Sequence, residues 1–381
     1  MIYFDNAATT ATDPRLRTLL DSLMYENFGN PSSAHKLGLE GERAVKSATS
    51  KLASVFGASG EIYYTSGGTE SNNLALVGVA RAKAKRGRHI IISRAEHPSV
   101  ENTARYLESE GFTVTRADVS ELGAPTASDV LSLIQPDTIL VSLIHVNNET
   151  GAITDIAGIA RQIKALRGDI TIHTDHVQGF CKENLDLSHV DLCSISGHKI
   201  HAPKGVGALL ARREQSKSTR LVPLLYGGGQ QSGIRPGTEN VPAIAALAEA
   251  ARFANEKQAD NLAGVRAIKN EIASLASDLP DVYINGHADG SPYILNMSFV
   301  GVNSETLVNA LSLAGIYISN GSACNSRSSH TSLNYLRLGQ DRLRSAARFS
   351  FSSTNTIEEA KIARAAIVNE LNKLRRFGRR P

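Results

Sequence analysis

Tryptophan is absent from the 381 residues, and aromatic residues make up only 5% of the chain. A hydrophobic core must therefore be filled mainly by leucine, isoleucine, valine and alanine. Only three residues are cysteine, an odd number without the spacing of metal ligands. This scarcity argues against a disulfide framework and against a zinc site, so we predict reduced thiols and no metal.

Long apolar runs and strong charge are also missing. No stretch reaches about 18 uninterrupted apolar residues, and the sequence predicts no membrane span. The first ten residues, MIYFDNAATT, contain neither the basic nor the apolar segment of a secretory signal, which is therefore not expected. The net charge of +4 is too small to indicate nucleic-acid binding. We expect a cytoplasmic protein of enzyme size.

Strand-like and helix-like segments alternate between residues 60 and 210. EIYYTSGG precedes TESNNLALVGVARAKAK, and DTILVSLIHVNNETG precedes DIAGIARQIKAL. Apolar strand patterns that alternate with amphipathic helices are typical of β-α-β units. The sequence therefore predicts an α/β fold with a mostly parallel central sheet and helices on both faces.

The chain is longer than a single hydrophobic core usually supports, so a large and a small domain are expected. After residue 257 strand patterns mix with helical ones, which indicates an α+β domain. We predict a large domain over residues 15–257. The small domain then comprises residues 1–14 and 258–381, including SNGSACNSRSSHTSLN, a segment without strand or helix pattern.

Polar residues recur just after the predicted strands. They are Ser66, His97, Asn148, Asp175 and His198. Ligands of open α/β sheets bind outside the carboxyl ends of the strands. The pattern therefore predicts a binding site at that edge of the sheet.

Lys199 follows an apolar strand in DLCSISGHKIHAPKGVGALL. It belongs either to an ordinary polar loop or to a site where it acts as a nucleophile. Asp175, in HTDHVQG, is either a helix cap or a buried acid that needs a cationic partner, such as a protonated pyridine nitrogen. Gln178 can donate a hydrogen bond to a ring oxygen. Each of these patterns leaves both interpretations open.

Glycine-rich turns supply two further signals. TSGGTES, residues 65–71, places glycines between a strand and a helix that Thr69 can begin, and a helix N-terminus favours phosphate. In YGGGQQSGIRPGTEN, Arg235 and Thr238 are candidates for further phosphate contacts. Glycine-rich turns also occur where only the backbone conformation requires glycine, so neither segment alone establishes a phosphate site.

A lysine, an aspartate, a phosphate cradle and a ring-facing histidine together are what a pyridoxal phosphate site needs. The motifs resemble, in content and order, those of the cysteine desulfurases, which are fold-type I pyridoxal phosphate enzymes. They are YFDNAATT, ENFGNPSSAH, TSGGTESNN, EHPSV, HVNNETG, TDHVQ, SGHKIHAPKGVGAL, GGGQQSGIRPGTEN and SNGSAC. The GSAC ending resembles the class that includes the housekeeping and nitrogen-fixation enzymes.

The resemblance implies a role for each matching position. Lys199 binds the cofactor covalently, Asp175 pairs with its pyridine nitrogen, and His97 stacks on the ring and moves protons. Gln178 and Asn148 contact the ring substituents. The residues implied for the phosphate are Gly68, Thr69, Ser196, His198 and, from the second subunit of a homodimer, Thr238.

The resemblance also implies the groups that handle the substrate. Arg348, in AARFSF, binds the substrate carboxylate, a task that suits a bidentate guanidinium, and Asn30, in FGNPSS, borders the same pocket. Cys324 is the thiol that takes the sulfur, and a loop position suits a group that visits both the cofactor and an acceptor. Cys181 and Cys193 have no expected role.

Two sites depart from the family pattern. The family commonly has alanine where His176 stands, and the imidazole is expected to stack on the cofactor, to carry a proton or to narrow the pocket. We favour stacking, on the ring face opposite His97. Ser352 and Ser353 replace a glycine–arginine pair, which leaves the substrate preference open.

The function implied is that of a cysteine desulfurase, which converts L-cysteine to L-alanine and places the sulfur on Cys324 as a persulfide. An acceptor protein, such as an iron–sulfur scaffold or a tRNA-thiolation enzyme, then takes the sulfur. The alternatives are a selenocysteine lyase, an elimination from cysteine sulfinate, and a non-catalytic scaffold. Cys324 favours the desulfurase because simple elimination needs no thiol, and the intact Lys199 and Asp175 disfavour a scaffold.

Overall fold

The computed structural model describes residues 1–214, 217–218, 220–287, 289–321 and 332–378. The strands are β1 (Ile2–Tyr3), β2 (Gly60–Thr65), β3 (His89–Ser93), β4 (Thr113–Ala117), β5 (Thr138–Ile144), β6 (Thr171–Asp175), β7 (Leu192–Ser196), β8 (Gly207–Glu214), β9 (Lys217–Ser218), β10 (Val282–Asn285), β11 (Ile294–Phe299), β12 (Ile316–Tyr317), β13 (Ser319–Asn320) and β14 (Ala346–Ser350). The helices are α1 (Arg17–Asp21), α2 (Lys36–Phe56), α3 (Gly68–Lys83), α4 (Pro98–Ser109), α5 (Ala127–Leu131), α6 (Ile156–Leu166), α7 (Val241–Glu256), α8 (Gln258–Ala273), α9 (Leu275–Asp278), α10 (Ser304–Leu313), α11 (Gln340–Arg344) and α12 (Ile357–Gly378).

The largest sheet has the strand order β2-β8-β7-β6-β5-β3-β4, with β9 paired to β8. Its strands β4, β3, β5, β6 and β7 run parallel to one another. β8 is antiparallel to both of its neighbours, β7 and β2. The predicted α/β fold with a mostly parallel central sheet is confirmed.

Helices cover this sheet on both faces, and its central strands β3, β5, β6 and β7 are buried along their whole length. In β3, Ile90 and Ile92 belong to the hydrophobic cluster that contains α3 and α4, whereas Ile91 belongs to the cluster that contains α2, α6 and α7. All three isoleucines are fully buried. Successive side chains of a strand point to opposite faces, so a run of three isoleucines requires a helical layer on each side.

A second sheet lies later in the chain, with the antiparallel order β10-β11-β14-β13. The start of the chain joins this region, since β1 pairs with β12 in parallel. The predicted domain limit at residue 257 falls between α7 and α8. Across the described part of the chain, no helix has both the length and the apolar character needed to cross a membrane.

Candidate active site

A cavity of about 340 Å³ opens at the carboxyl ends of the parallel strands. Asp175 is the last residue of β6, Ser196 is the last residue of β7, and His97 follows β3. Strand direction therefore brings these side chains to one edge of the sheet. The predicted site residues that line the cavity together are Gly68, Thr69, His97, Asn148, Asp175, Gln178, Ser196, His198, Lys199 and Arg348.

Three predicted residues are not among those that line this cavity. Asn30 is exposed, and its side-chain oxygen accepts a hydrogen bond from the Ser32 backbone N–H. Thr238 is also exposed. Cys324 lies outside the described residues. The roles predicted for these three residues stay predictions.

Arg235 does not face the cavity but forms an ion pair with Glu70. Its Nε donates to Glu70 Oε1 at 2.9 Å, and Glu70 Oε2 accepts from the Ser66 backbone N–H at 2.6 Å. Glu70 lies in the first turn of α3, so this pair ties the glycine-rich segment around residue 235 to the turn before that helix. Arg235 is not among the residues that line the cavity, and the phosphate contact suggested for it stays a prediction.

Lys199 ends the single 3-10 turn Gly197–Lys199 that follows β7. Its Nζ donates to the carbonyl oxygens of Ala7 at 2.5 Å and Ala8 at 2.8 Å. Neither alanine has a distinctive sequence signal, because only its backbone is used. The side chain of the lysine is thus held at the cavity wall by the start of the chain.

The environment of Lys199 favours its neutral amine. Burial lowers the pKa of Lys199 to about 7, and the nearby cations of Lys182 and Arg348 act in the same direction. The carboxylates of Asp175 and Asp5 oppose this lowering without outweighing it. A large fraction of the amine is therefore unprotonated near neutral pH and can act as a nucleophile or a base.

Residues 5–10, here called the N-terminal segment, also hold the residue before Lys199. The Thr10 backbone N–H and hydroxyl both donate to the His198 carbonyl oxygen at 3.0 Å. The Thr9 hydroxyl lies 3.1 Å from His198 Nδ1. Burial lowers the pKa of His198 to about 4, and neighbouring lysines add to the effect. The imidazole is therefore neutral at physiological pH.

Asp175 is buried and receives two hydrogen bonds. Its Oδ1 accepts from the Val177 backbone N–H at 3.0 Å, which is the bond of a local turn. Its Oδ2 accepts from Asn72 Nδ2 at 2.7 Å, and the same amide donates to Ser99 Oγ at 2.8 Å. Sequence reasoning missed Asn72, although a residue four positions after Gly68 must share its face of α3.

His97 caps the N-terminus of α4, and this contact sets its tautomer. Its Nδ1 accepts from the Ser99 backbone N–H at 3.1 Å, so the proton of the neutral ring resides on Nε2. Burial lowers the pKa of His97, and the neighbouring Lys199 cation acts in the same direction, while Asp175 opposes it. The ring that lines the cavity is therefore neutral.

The side of the cavity next to α3 fits a phosphate group. α3 begins at Gly68, and a Cβ atom at Gly68 would lie only 2.7 Å from Val177 Cγ2, so any larger residue here would require the Val177 side chain to move. Ser196 Oγ is buried without a hydrogen-bond partner among the described residues, and so is Gln178 Oε1. The Ser196 hydroxyl, a donor beside the N-terminus of a helix, can be satisfied by an anionic ligand, whereas the Gln178 oxygen is an acceptor and would need a donor.

Arg348 enters the cavity from β14 of the second sheet. Its Nη1 donates to the Asn148 carbonyl oxygen at 2.9 Å, and its Nη2 donates to Asp5 Oδ1 at 2.9 Å. Its Nε is buried without a partner among the described residues. The arginine therefore brings a cation from one sheet to the ligand edge of the other.

His176 does not stack in the cavity, so that prediction is wrong. Its Nδ1 lies 2.7 Å from His145 Nδ1, and its ring packs edge-on against Phe180. It lines a separate cavity of about 110 Å³. The reason is backbone alternation at the end of β6: Asp175 points to the ligand side, so the next side chain points away. Burial lowers the pKa of His176 well below its usual value, so the ring is neutral.

Replacing His176 with alanine is expected to weaken the fold and leave the cofactor site intact. The change leaves the buried His145 ring without its hydrogen-bond partner, which lowers the free energy of unfolding by about 1–3 kcal/mol. Urea unfolding measures this loss, and absorbance of the bound cofactor and its dissociation constant should not change. A shifted cofactor spectrum with unaltered stability would contradict this prediction and indicate that His176 contacts the cofactor.

Comparisons with known proteins agree with this geometry. The Aminotransferase class-V family model matches residues 2–362. Cysteine desulfurase IscS of Escherichia coli is 40% identical over 383 residues, which is 98% of this chain and 93% of the relative. The NifS/IcsS protein homolog of Lactobacillus delbrueckii subsp. bulgaricus is 41% identical over 368 residues, 94% of each chain.

Solved structures give the same result. A NifS-like protein superposes with a TM-score of 0.91 at 34% identity and covers 98% of this chain and 99% of its own. SspA in complex with cysteine superposes with a TM-score of 0.79 at 33% identity, covering 93% and 99%. The chain therefore belongs to the class-V aminotransferase family, with its fold-type I architecture, and within that family to the cysteine desulfurases.

Proposed function

We propose that this enzyme removes sulfur from L-cysteine, releases L-alanine, and carries the sulfur on Cys324 as a persulfide. The observation that supports the proposal most strongly is a single cavity lined by the Lys199 amine, the Asp175 carboxylate and the Arg348 guanidinium. SspA, a structural neighbour, was solved with cysteine. An amine, a carboxylate and a guanidinium are the groups that cofactor attachment, cofactor polarisation and amino-acid binding require.

Pyridoxal phosphate is the cofactor that fits this cavity, and when bound it withdraws electrons from the substrate carbon. Lys199 would attach it covalently, and Asp175 would pair with its ring nitrogen. The Asn72 amide and the Val177 N–H both donate to the Asp175 carboxyl group and so fix its position. Gln178 and Asn148 would contact the ring substituents. The phosphate would be held by Gly68, Thr69, Ser196 and His198, with Thr238 of a second subunit.

The remaining residues handle the substrate. Arg348 binds the α-carboxylate, and Asn30 borders this part of the pocket. Lys199 removes the proton from the α-carbon, and His97, neutral and protonated on Nε2, transfers protons. The Cys324 thiolate attacks the substrate sulfur, the carbon–sulfur bond breaks, and a sulfur–sulfur bond forms. One L-cysteine and one thiol thus give one L-alanine and one persulfide, with no external oxidant.

A homodimer is part of the proposal. Large apolar side chains are exposed in two segments, Met24, Tyr25 and Phe28 in one and Leu225 and Tyr226 in the other. Burying such side chains against a second copy is favourable. The same association would carry the exposed Thr238 towards the partner's phosphate group. The acceptor of the sulfur is a protein of the iron–sulfur scaffold or tRNA-thiolation type, and a thiol carrier suits the reducing cytoplasm.

The experiment that tests the function measures the L-alanine released and the sulfur bound to the protein in the same reaction. Purified holoenzyme is given L-cysteine, L-alanine is quantified, and the protein is digested for mass analysis. The proposal requires one L-alanine per sulfur and a gain of one sulfur atom on the peptide that contains Cys324. Pyruvate in place of L-alanine would indicate elimination, and a large preference for selenocysteine in competition would indicate a lyase.

Replacing Asp175 with asparagine is expected to damage catalysis more than folding. Asparagine keeps the size of the side chain and the acceptor for the local turn but removes the oxygen that accepts from the Asn72 amide, so the free energy of unfolding should fall by about 1–3 kcal/mol. The negative charge opposite the ring nitrogen is lost, and turnover should fall about a hundredfold or more. Steady-state kinetics and urea unfolding measure the two effects. Full turnover would show that Asp175 has no catalytic role and only stabilises the local turn.

A further inference from the structure

Both terminal nitrogens of the Arg348 guanidinium form hydrogen bonds within the protein. Its backbone lies between β11 and β13, opposite Asn296 and Ser319. Of its five N–H donors, one is taken by the Asn148 carbonyl oxygen and one by Asp5 Oδ1. The side chain is 11% exposed, so its orientation depends mainly on these two acceptors.

Asp5 is itself fixed by the backbone around it. Asp5 and Ser350 form an isolated parallel bridge, and Ser350 lies two residues after Arg348 on the same strand. The Phe4 N–H donates to the Tyr317 carbonyl at 2.8 Å, and the Ala7 N–H donates to Ser350 Oγ at 2.8 Å. Residues two apart on a strand share one face, so this pairing brings the Asp5 carboxylate beside the guanidinium.

This arrangement suits a guanidinium that must receive a carboxylate. An arginine binds a carboxylate best through two parallel N–H bonds, which requires a fixed plane. A free arginine side chain carries about 2 kcal/mol of rotamer entropy, and two fixed acceptors remove that freedom before the substrate arrives. Three N–H donors remain, and the buried Nε has no partner among the described residues.

The same segment also reaches Lys199. Asp5 holds Arg348, while the carbonyl oxygens of Ala7 and Ala8 accept from Lys199 Nζ. One short stretch of backbone therefore fixes the position of the group that reacts at an amine relative to the group that binds a carboxylate. An α-amino acid carries its amine and its carboxylate on one carbon, so this spacing matters for recognition.

We propose that Asp5 is a positioning residue that holds the Arg348 guanidinium in the plane in which it binds the α-carboxylate of the amino-acid substrate. The inference rests on the proposed function, because it takes Arg348 to be the carboxylate ligand. Asp5 acts through Arg348 and not by touching the substrate. Its loss should therefore weaken the binding of ligands with a carboxylate and spare ligands without one.

The test uses holoenzyme and two small ligands that differ in one group. L-alanine has the carboxylate, and L-alaninol has an alcohol in its place. Dissociation constants are measured from cofactor absorbance and checked by calorimetry. For Asp5→Ala we expect about tenfold weaker binding of L-alanine, the effect of losing one charge-assisted hydrogen bond, and unchanged binding of L-alaninol. The KM for L-cysteine should rise by the same factor, with a smaller change in kcat.

Three further variants make the result decisive. Asp5→Asn keeps an oxygen that accepts from Nη2 and should restore most of the L-alanine affinity. Asp5→Ser is too short to reach Arg348, and it repeats the test if the alanine variant does not fold. Arg348→Gln is the reference, and it should reduce L-alanine binding to the level of L-alaninol.

The outcomes separate this inference from the proposed function. If Arg348→Gln weakens L-alanine binding but neither Asp5→Ala nor Asp5→Ser does, the role of Asp5 is wrong and that of Arg348 stands. Equal weakening of both ligands by the Asp5 variants would show a general structural effect and also overturn it. If Arg348→Gln changes nothing, the proposed carboxylate site and this inference both fail.

Discussion

Replacing Lys199 with alanine is expected to abolish covalent cofactor attachment and to lower turnover of L-cysteine by about a thousandfold or more. The variant loses both the attachment point and the general base, and loss of a general base alone typically removes a factor of 10² to 10⁴. Among the described residues, no other lysine lines the cavity. Borohydride reduction followed by peptide mapping should label Lys199 in the wild type and no residue in the variant.

Two other lysines provide the controls. Lys204 is exposed and lies in the turn after Lys199, outside the cavity. Lys182 is buried, and its Nζ lies over the Tyr293 ring at 5.4 Å from the centroid. Lys204→Ala should therefore keep the cofactor absorbance and most of the turnover. A label on Lys204 in the wild type would overturn the assignment of the nucleophile.

Replacing Cys324 with serine is expected to stop alanine release while cofactor and substrate binding remain. Lys199 and Arg348 are unchanged in this variant, so L-cysteine should still alter the cofactor spectrum. A hydroxyl is a far poorer nucleophile towards sulfur than a thiolate, so turnover should fall to background. Chromatographic quantification of alanine measures the loss, and mass analysis should find no added sulfur.

The other two cysteines are matched controls for that variant. Cys181 and Cys193 are buried, and burial raises the pKa of each thiol well above its usual value. Protonated, inaccessible thiols do not attack a substrate, so Cys181→Ser and Cys193→Ser should leave the reaction rate close to that of the wild type. Normal alanine production by Cys324→Ser would contradict the persulfide mechanism.

The central sheet could be predicted from the sequence because its signals are local. Three consecutive isoleucines in β3 and five apolar residues among the seven of β5 identify strands without knowledge of their partners. Parallel strands share their direction, so residues that follow them lie at the same edge of the sheet. His97, Asp175 and Lys199 are therefore predicted at the carboxyl-end edge. The alternation that brings Asp175 to the cavity also turns His176 away from it, a consequence that sequence reasoning did not draw.

Contacts between distant parts of the chain could not be predicted in this way. The Ala7 carbonyl that holds Lys199 is 192 positions away from it, and a backbone oxygen leaves no residue-specific signal. Nothing in the motif YFDNAATT indicates that Asp5 has a partner on β14. The sequence around Arg235 likewise gives no sign of its ion pair with Glu70 at the start of α3.

The N-terminal segment has a consequence for biosynthesis. Asp5 and Arg348 are separated by 343 positions, so a ribosome must add nearly the whole chain before the two can meet. At 5–20 residues per second this interval lasts roughly 20–70 s. During that time the emerging chain has Asp5, and later Lys199, without the strand that completes the pocket. The cavity that Arg348 lines is therefore complete only when nearly the whole chain has been synthesised.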